Sequence, residues 1–74
     1  MERILYRYKG HELYAHPHQV DSTLEWTTQV HILKGELCSP YWASNTWPTE
    51  LEAVARSLRF GQLIIDGDIT PSIP

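Results

Sequence analysis

The chain has 74 residues, of which 42% are hydrophobic and 20% charged, a composition typical of one small globular domain. Six Lys and Arg against nine Asp and Glu give a net charge of −3, which argues against a nucleic-acid-binding surface. No apolar run has the length of a membrane span, residues 1–10 lack the apolar segment of a signal peptide, and one cysteine excludes an internal disulfide.

We therefore expect a cytoplasmic protein without a membrane-spanning segment. It should form a single domain over residues 1–70, followed by a flexible tail at 71–74. A domain this short buries only about 60% of the surface of its unfolded chain. Association with another chain is then the simplest way to bury more apolar surface.

The first part of the chain has the composition of β-strands. Residues 3–8 are rich in β-forming side chains, and an extended pattern resumes over 11–20. Lys9 and Gly10 between them would form either a tight turn or a bulge in one long bent strand. The bulge is favoured because both flanks keep strand character without an obvious loop.

The clearest strand pattern covers residues 25–33, in which apolar and polar side chains alternate. Pairing it with 11–20 matches the buried faces if Leu13 opposes Val30 and Ala15 opposes Thr28. Residues 37–39 are expected to be a connection and 41–47 a third strand. Its two tryptophans, Trp42 and Trp47, have opposite parity, so one of them should be partly exposed.

Residues 49–67 predict an amphipathic helix. Thr49 and Glu52 have the spacing of a capping box, and Gly67 is a natural C-cap. The alternative is a helix that ends near Arg59, with 62–65 as another strand; the continuous helix is favoured. The residues expected to face the sheet, at a spacing of three and four, are Leu51, Val54, Ala55, Leu58, Gly61 and Ile65.

These elements predict an α+β fold, with a three-stranded antiparallel sheet in β-β-β-α order and one C-terminal helix packed on one face. The end of the helix is apolar beyond the sheet-facing stripe, at Phe60, Leu63 and Ile64. These side chains either meet a sheet that curls around the helix or contact another chain.

Three histidines are the main candidates for a metal site, beside the carboxylate pair of Asp66 and Asp68, which could also bind a divalent cation. His16 and His18 lie at i and i+2 of a strand and point to the same side, and His31 could supply a third imidazole to zinc. In the register above, however, His31 lies well along the strand from His18. We therefore expect a solvated, histidine-bearing sheet face and no metal or other cofactor.

The remaining reactive side chains have ordinary structural explanations. Cys38 lies near Glu36, which disfavours a thiolate. Asp66 and Asp68 flank Gly67 in what reads as a helix-ending turn. Because no glycine-rich phosphate loop and no recognisable Ser/His/Asp arrangement is present, we do not expect an enzyme.

Residues 8–17, YKGHELYAHP, and 50–66, ELEAVARSLRFGQLIID, resemble the opening and the closing helix of small bacterial domains of β-β-β-α order. The layout is also distantly similar to the partial ferredoxin-like domains of HicB-type antitoxins, which bind a partner toxin. This chain departs from that group because it has no appended DNA-binding helix pair or ribbon. The resemblance implies a protein partner.

The sequence as a whole predicts a small, non-catalytic protein-interaction domain that binds either itself or another chain. The expected partner contacts are Trp42, Trp47, Phe60, Leu63 and Ile64. The alternative is a divalent-metal-binding domain that uses His16, His18 and His31. Binding of single-stranded nucleic acid through Tyr14 and its aromatic neighbours is disfavoured, because the chain lacks a positive groove.

Overall fold

The computed structural model describes residues 5–70, so the predicted tail at 71–74 lies outside the described residues. Four strands form one antiparallel sheet in chain order, and one helix follows them. The elements are β1 (Leu5–Tyr8), β2 (His11–Ala15), β3 (Trp26–Lys34), β4 (Leu37–Trp47) and α1 (Glu50–Asp66). The α+β class, the antiparallel sheet and the C-terminal helix are confirmed, but the prediction of three strands is wrong.

The additional strand arises at Lys9 and Gly10. Tyr8 pairs with His11, and both turn residues have positive φ angles, 48° and 79°. Two consecutive left-handed residues between paired strands are characteristic of a tight hairpin turn. The bulge favoured by the sequence is therefore wrong, and the segment forms two separate strands, β1 and β2.

The register of β2 and β3 also differs from the prediction. Leu13 pairs with Ile32 and Ala15 with Val30, a shift of two residues. The predicted faces remain correct because side chains alternate with a period of two. Strand β2 ends at Ala15, and beyond it contact with β3 continues through the His16 N–H to Gln29 carbonyl bond at 2.9 Å, the Thr27 N–H to His18 carbonyl bond at 2.8 Å and an isolated bridge between Gln19 and Trp26.

Strand β4 begins at Leu37, so the prediction that 37–39 form a connection is wrong. The strand has an irregularity near its end, because Thr28 pairs with Ala43 whereas Thr27 pairs with Thr46. Two residues of β4 therefore have no opposite partner, and the strand bends there.

Helix α1 is continuous, so the alternative of a strand at 62–65 is wrong. The Thr49 hydroxyl accepts a hydrogen bond from the Glu52 backbone N–H at 3.2 Å. At the other end Gly67 is left-handed and donates to the Ile64 carbonyl, while Asp68 donates to the Leu63 carbonyl. This is the Schellman arrangement that ends many helices.

The helix packs on the sheet through small residues, namely Ala53, Ser57 and Gly61. The predicted sheet-facing stripe is therefore wrong at Leu51, which is 77% exposed, and at the exposed Ala55. Small side chains let the helix axis lie close to the sheet, and larger ones flank the contact. Phe60, Ile64 and Ile65 pack from the helix against the buried core of Leu13, Val30 and Ile32.

Candidate functional site: the open face of the sheet

Helix α1 covers only one face of the sheet, and within residues 5–70 no other helix or strand lies over the second face. We call this second face the open face. Strand alternation and the observed register assign its members. They are Leu5, Arg7, Glu12, Tyr14, His16, Thr27, Gln29, His31, Leu33, Cys38, Pro40, Trp42 and Thr46.

The open face carries large apolar and aromatic side chains in exposed positions. Leu5 and Trp42 are each 43% exposed, and Tyr14 and Leu33 are half-buried. At one side of the sheet Leu5 on β1 pairs with Tyr14 on β2, and at the other side Trp42 on β4 pairs with Gln29 on β3. A shallow depression of about 380 Å³ lies beside Trp42. The apolar side chains therefore extend across all four strands of the sheet.

Charge on the open face is low. Within the paired strands its formally charged members are Arg7 and Glu12, which are cross-strand neighbours with 3.6 Å between Nε and Oε2, and at the end of the face the Glu25 carboxylate accepts a hydrogen bond from the Thr46 hydroxyl at 2.7 Å. The other polar members, among them Gln29, His16 and His31, are not carboxylates, lysines or arginines. A second surface can therefore pack on this face with little charge to desolvate.

The structure brings the three predicted histidines together. The His16 ring centroid lies 4.9 Å from that of His18, with the rings nearly perpendicular, and 5.2 Å from that of His31. We call these residues the histidine cluster. The shift in register causes this proximity. The observed register places Tyr14 opposite His31, so that His16, two residues after Tyr14, lies diagonally beside His31. In the predicted register His31 would have lain further along the strand.

Proximity alone does not form a metal site in one copy of the chain. Across residues 5–70, no set of three or more His, Cys, Asp or Glu side chains is placed to hold a metal ion. Cys38 is exposed on β4, opposite Leu33. Asp66 binds Tyr8 and Lys9 at the far end of the helix.

The predicted partner-contact residues lie on two sides of the molecule. Trp42 lies on the open face. Trp47 lies on the helix side, where its Nε1 donates to the Thr28 hydroxyl at 2.8 Å and its ring lies 4.8 Å from the Arg56 guanidinium. Phe60, Leu63 and Ile64 are half-buried, and Phe60 and Ile64 pack against the core.

The free edge of β4 is poorly suited to pairing with another strand. His16 N–H donates to the Gln29 carbonyl, so the Gln29 backbone groups point towards β2. Its partner Trp42, and by alternation Pro40, therefore point their backbone groups away from β3. Pro40 has no N–H to offer at that free edge, and the nearby irregularity bends the strand. The face is thus better suited to association than this edge.

No protein-family model matches the chain, and neither a curated protein nor a solved structure does so. The resemblance to HicB-type antitoxins therefore stays a prediction. Among the described residues, no helix is long and apolar enough to cross a membrane.

Proposed function

We propose that this chain is a small, non-catalytic protein-interaction domain that forms a homodimer by packing the open face of one copy on the open face of another. One observation carries the proposal. The helix covers a single side of the sheet. On the other side Leu5 and Trp42 are exposed, and Tyr14 and Leu33 are half-buried. Exposed apolar surface of this kind commonly marks a contact site.

The small core favours a second copy of the chain as the occupant. The largest fully buried side chains are Leu13, Val30 and Ser57, of which one is polar. A domain of this size with so few large buried side chains gains much from additional apolar burial. A second copy supplies an apolar face of the same low charge, and the interface is then isologous.

The size of the open face indicates a weak dimer. Four strands about 4.8 Å apart, rising about 3.3 Å per residue, give each face roughly 500 Å². Two faces then bury roughly 1,000 Å², which is the lower limit for a specific interface. We therefore expect a dimer that dissociates on dilution.

Sedimentation equilibrium of the wild-type chain and of two charge-introducing variants tests the proposal. W42K places a charge on the open face, and L51K places the same charge at the 77% exposed Leu51 on the outer side of the helix. We expect wild type and L51K to dimerise equally, and W42K to be monomeric, because a lysine ammonium cannot be buried unpaired in the interface.

Two outcomes contradict the open-face dimer. One is a wild-type chain that stays monomeric at high concentration. The other is a dimer that W42K leaves intact. In that case variants at Phe60, Leu63 and Ile64 test whether the dimer forms through the end of the helix, which the sequence predicted as a partner contact.

A further inference from the structure

We propose that the open-face homodimer binds one divalent transition-metal ion, held by His16 and His31 from each copy. The inference rests on the proposed homodimer and adds a ligand to its interface. The ion class is one that neutral imidazole ligands favour, with Zn²⁺ the first choice because four such ligands suit its tetrahedral geometry.

The spacing of the two rings fits a shared ion. The centroids of His16 and His31 lie 5.2 Å apart, and the rings are inclined at 48°. Two imidazoles that bind one tetrahedral zinc ion with Zn–N distances of about 2.0–2.1 Å have centroids about 5 Å apart. The observed separation of the two ring centroids therefore matches that of two imidazole ligands on one ion.

The position of the pair in the sheet explains why a second copy completes the site. His31 lies within β3, and His16 directly follows β2; these are the two central strands. In an isologous face-to-face dimer, only residues at the two-fold axis meet the same residues of the other copy, and we place that axis at this pair because it lies on the two central strands. Two histidine pairs then surround one point on the symmetry axis and provide four ligands.

The arrangement in a single copy agrees with this division of the ligands. No three metal-binding side chains are placed to hold an ion in the described part of one chain. A pair of histidines alone is an incomplete ligand set. Metal binding is therefore coupled to dimerisation: zinc tightens the dimer, and the dimer creates the zinc site.

The test uses the full chain, freed of metal with a chelator and then examined with and without zinc chloride. Sedimentation velocity should show that zinc tightens the dimer by about tenfold or more. Isothermal titration calorimetry should give one zinc ion for two chains. The imidazole NMR signals of His16 and His31 should shift together during the same titration.

Three single variants assign the ligands. H16Q and H31Q should each remove the effect of zinc on dimerisation. H11Q should retain it, because His11 lies at the turn end of β2, where its Nδ1 is 3.0 Å from the Lys9 carbonyl oxygen. Thermal unfolding of each variant without metal identifies any loss of fold, and the NMR titration of the wild type assigns the ligands independently of the variants.

The outcomes separate this inference from the proposed function. A dimer that W42K disrupts but zinc does not affect overturns the metal site and leaves the homodimer standing. One zinc ion bound by each monomer also overturns the shared site. A chain that is monomeric with and without zinc overturns both proposals.

Discussion

At the residue scale, the small side chains on the buried face of helix α1 let the helix lie close to the sheet, and one of them also hydrogen-bonds to it. Ser57 is fully buried, and its hydroxyl accepts a hydrogen bond of 3.0 Å from the Gln29 backbone N–H. That N–H lies on the β2 side of β3, where the ladder stops after Ala15. One polar side chain of the helix therefore satisfies a strand donor that would otherwise be buried without a partner.

Gly61 gives a prediction in which two effects have opposite signs. Alanine there improves helix propensity by about 1 kcal/mol. Its Cβ, however, would lie 3.1 Å from Val30 Cγ2 and 3.3 Å from both Leu13 Cδ atoms. Both neighbours are fully buried and have little room to move. Since overpacking a core commonly costs about 1–3 kcal/mol, we expect G61A to reduce the free energy of unfolding by about 1 kcal/mol, measured by urea denaturation.

A55G is the matched control, because Ala55 is exposed on the same helix. It should lose about 1 kcal/mol through helix propensity alone. If G61A instead stabilises the chain by the amount that A55G loses, the close contact between helix and sheet is wrong.

At the element scale, one carboxylate connects the first hairpin to the end of the helix. Asp66 accepts hydrogen bonds from Tyr8 Oη at 2.7 Å and Lys9 Nζ at 2.6 Å. The bonds from Lys9 and Tyr8 lower the pKa of the Asp66 carboxyl, and the bond to Asp66 raises the pKa of both donors. This contact also holds Lys9 in a turn conformation that lysine rarely adopts.

The direction of the Asp66 shift predicts how stability depends on pH. A carboxyl whose pKa is lower in the folded than in the unfolded chain stabilises the fold when ionised, and that contribution is lost as the pH falls through the folded-state pKa. We therefore expect D66N to unfold at a lower temperature than wild type at pH 7. The gap should begin to shrink below the ordinary Asp pKa of about 4, where the unfolded chain takes up the proton, and should be lost once the folded carboxyl, whose pKa is lower, is protonated as well.

D68N removes the same charge two residues further on, and no side-chain hydrogen bond is seen for Asp68 among residues 5–70. It should resemble wild type in thermal unfolding followed by circular dichroism at each pH. Equal midpoints for D66N and D68N at pH 7, or a gap that persists unchanged in acid, would contradict the role of Asp66.

At the scale of the whole molecule, the fold is two layers deep and leaves one side of the sheet without a cover among residues 5–70. Its fully enclosed core is small. If the open face is the dimer interface, thermal stability depends on protein concentration, because folding and association are linked.

For a chain that is dimeric throughout the range, a hundredfold rise in concentration stabilises each protomer by roughly 1.4 kcal/mol. For a domain of this size we expect the unfolding midpoint to rise by about 5–10 °C, measured by scanning calorimetry. The midpoint of W42K should stay constant over the same range. A wild-type midpoint independent of concentration contradicts a dimer stabilised in this way.

Much of the candidate site follows from the sequence, but its assembly does not. The alternation of Thr28, Val30 and Ile32 correctly predicts the buried face of β3, and hence His31 on the other side. The parity of Trp42 and Trp47 correctly predicts that one is partly exposed. The proximity of His31 to His16 depends on register, and a shift of two residues leaves the hydrophobic pattern unchanged, so the pattern cannot reveal it.

The sequence by itself determined the features that depend on neighbours in the chain. They include the caps at Thr49 and Gly67, the alternation of β3 and the α+β class. Tertiary structure alone decided the turn at Lys9, the strand register and the rotation of the helix about its axis. These features depend on contacts between residues distant in the chain, such as Lys9 with Asp66 and Gly61 with Val30. A local residue pattern cannot predict them, because it does not show which distant residues come into contact.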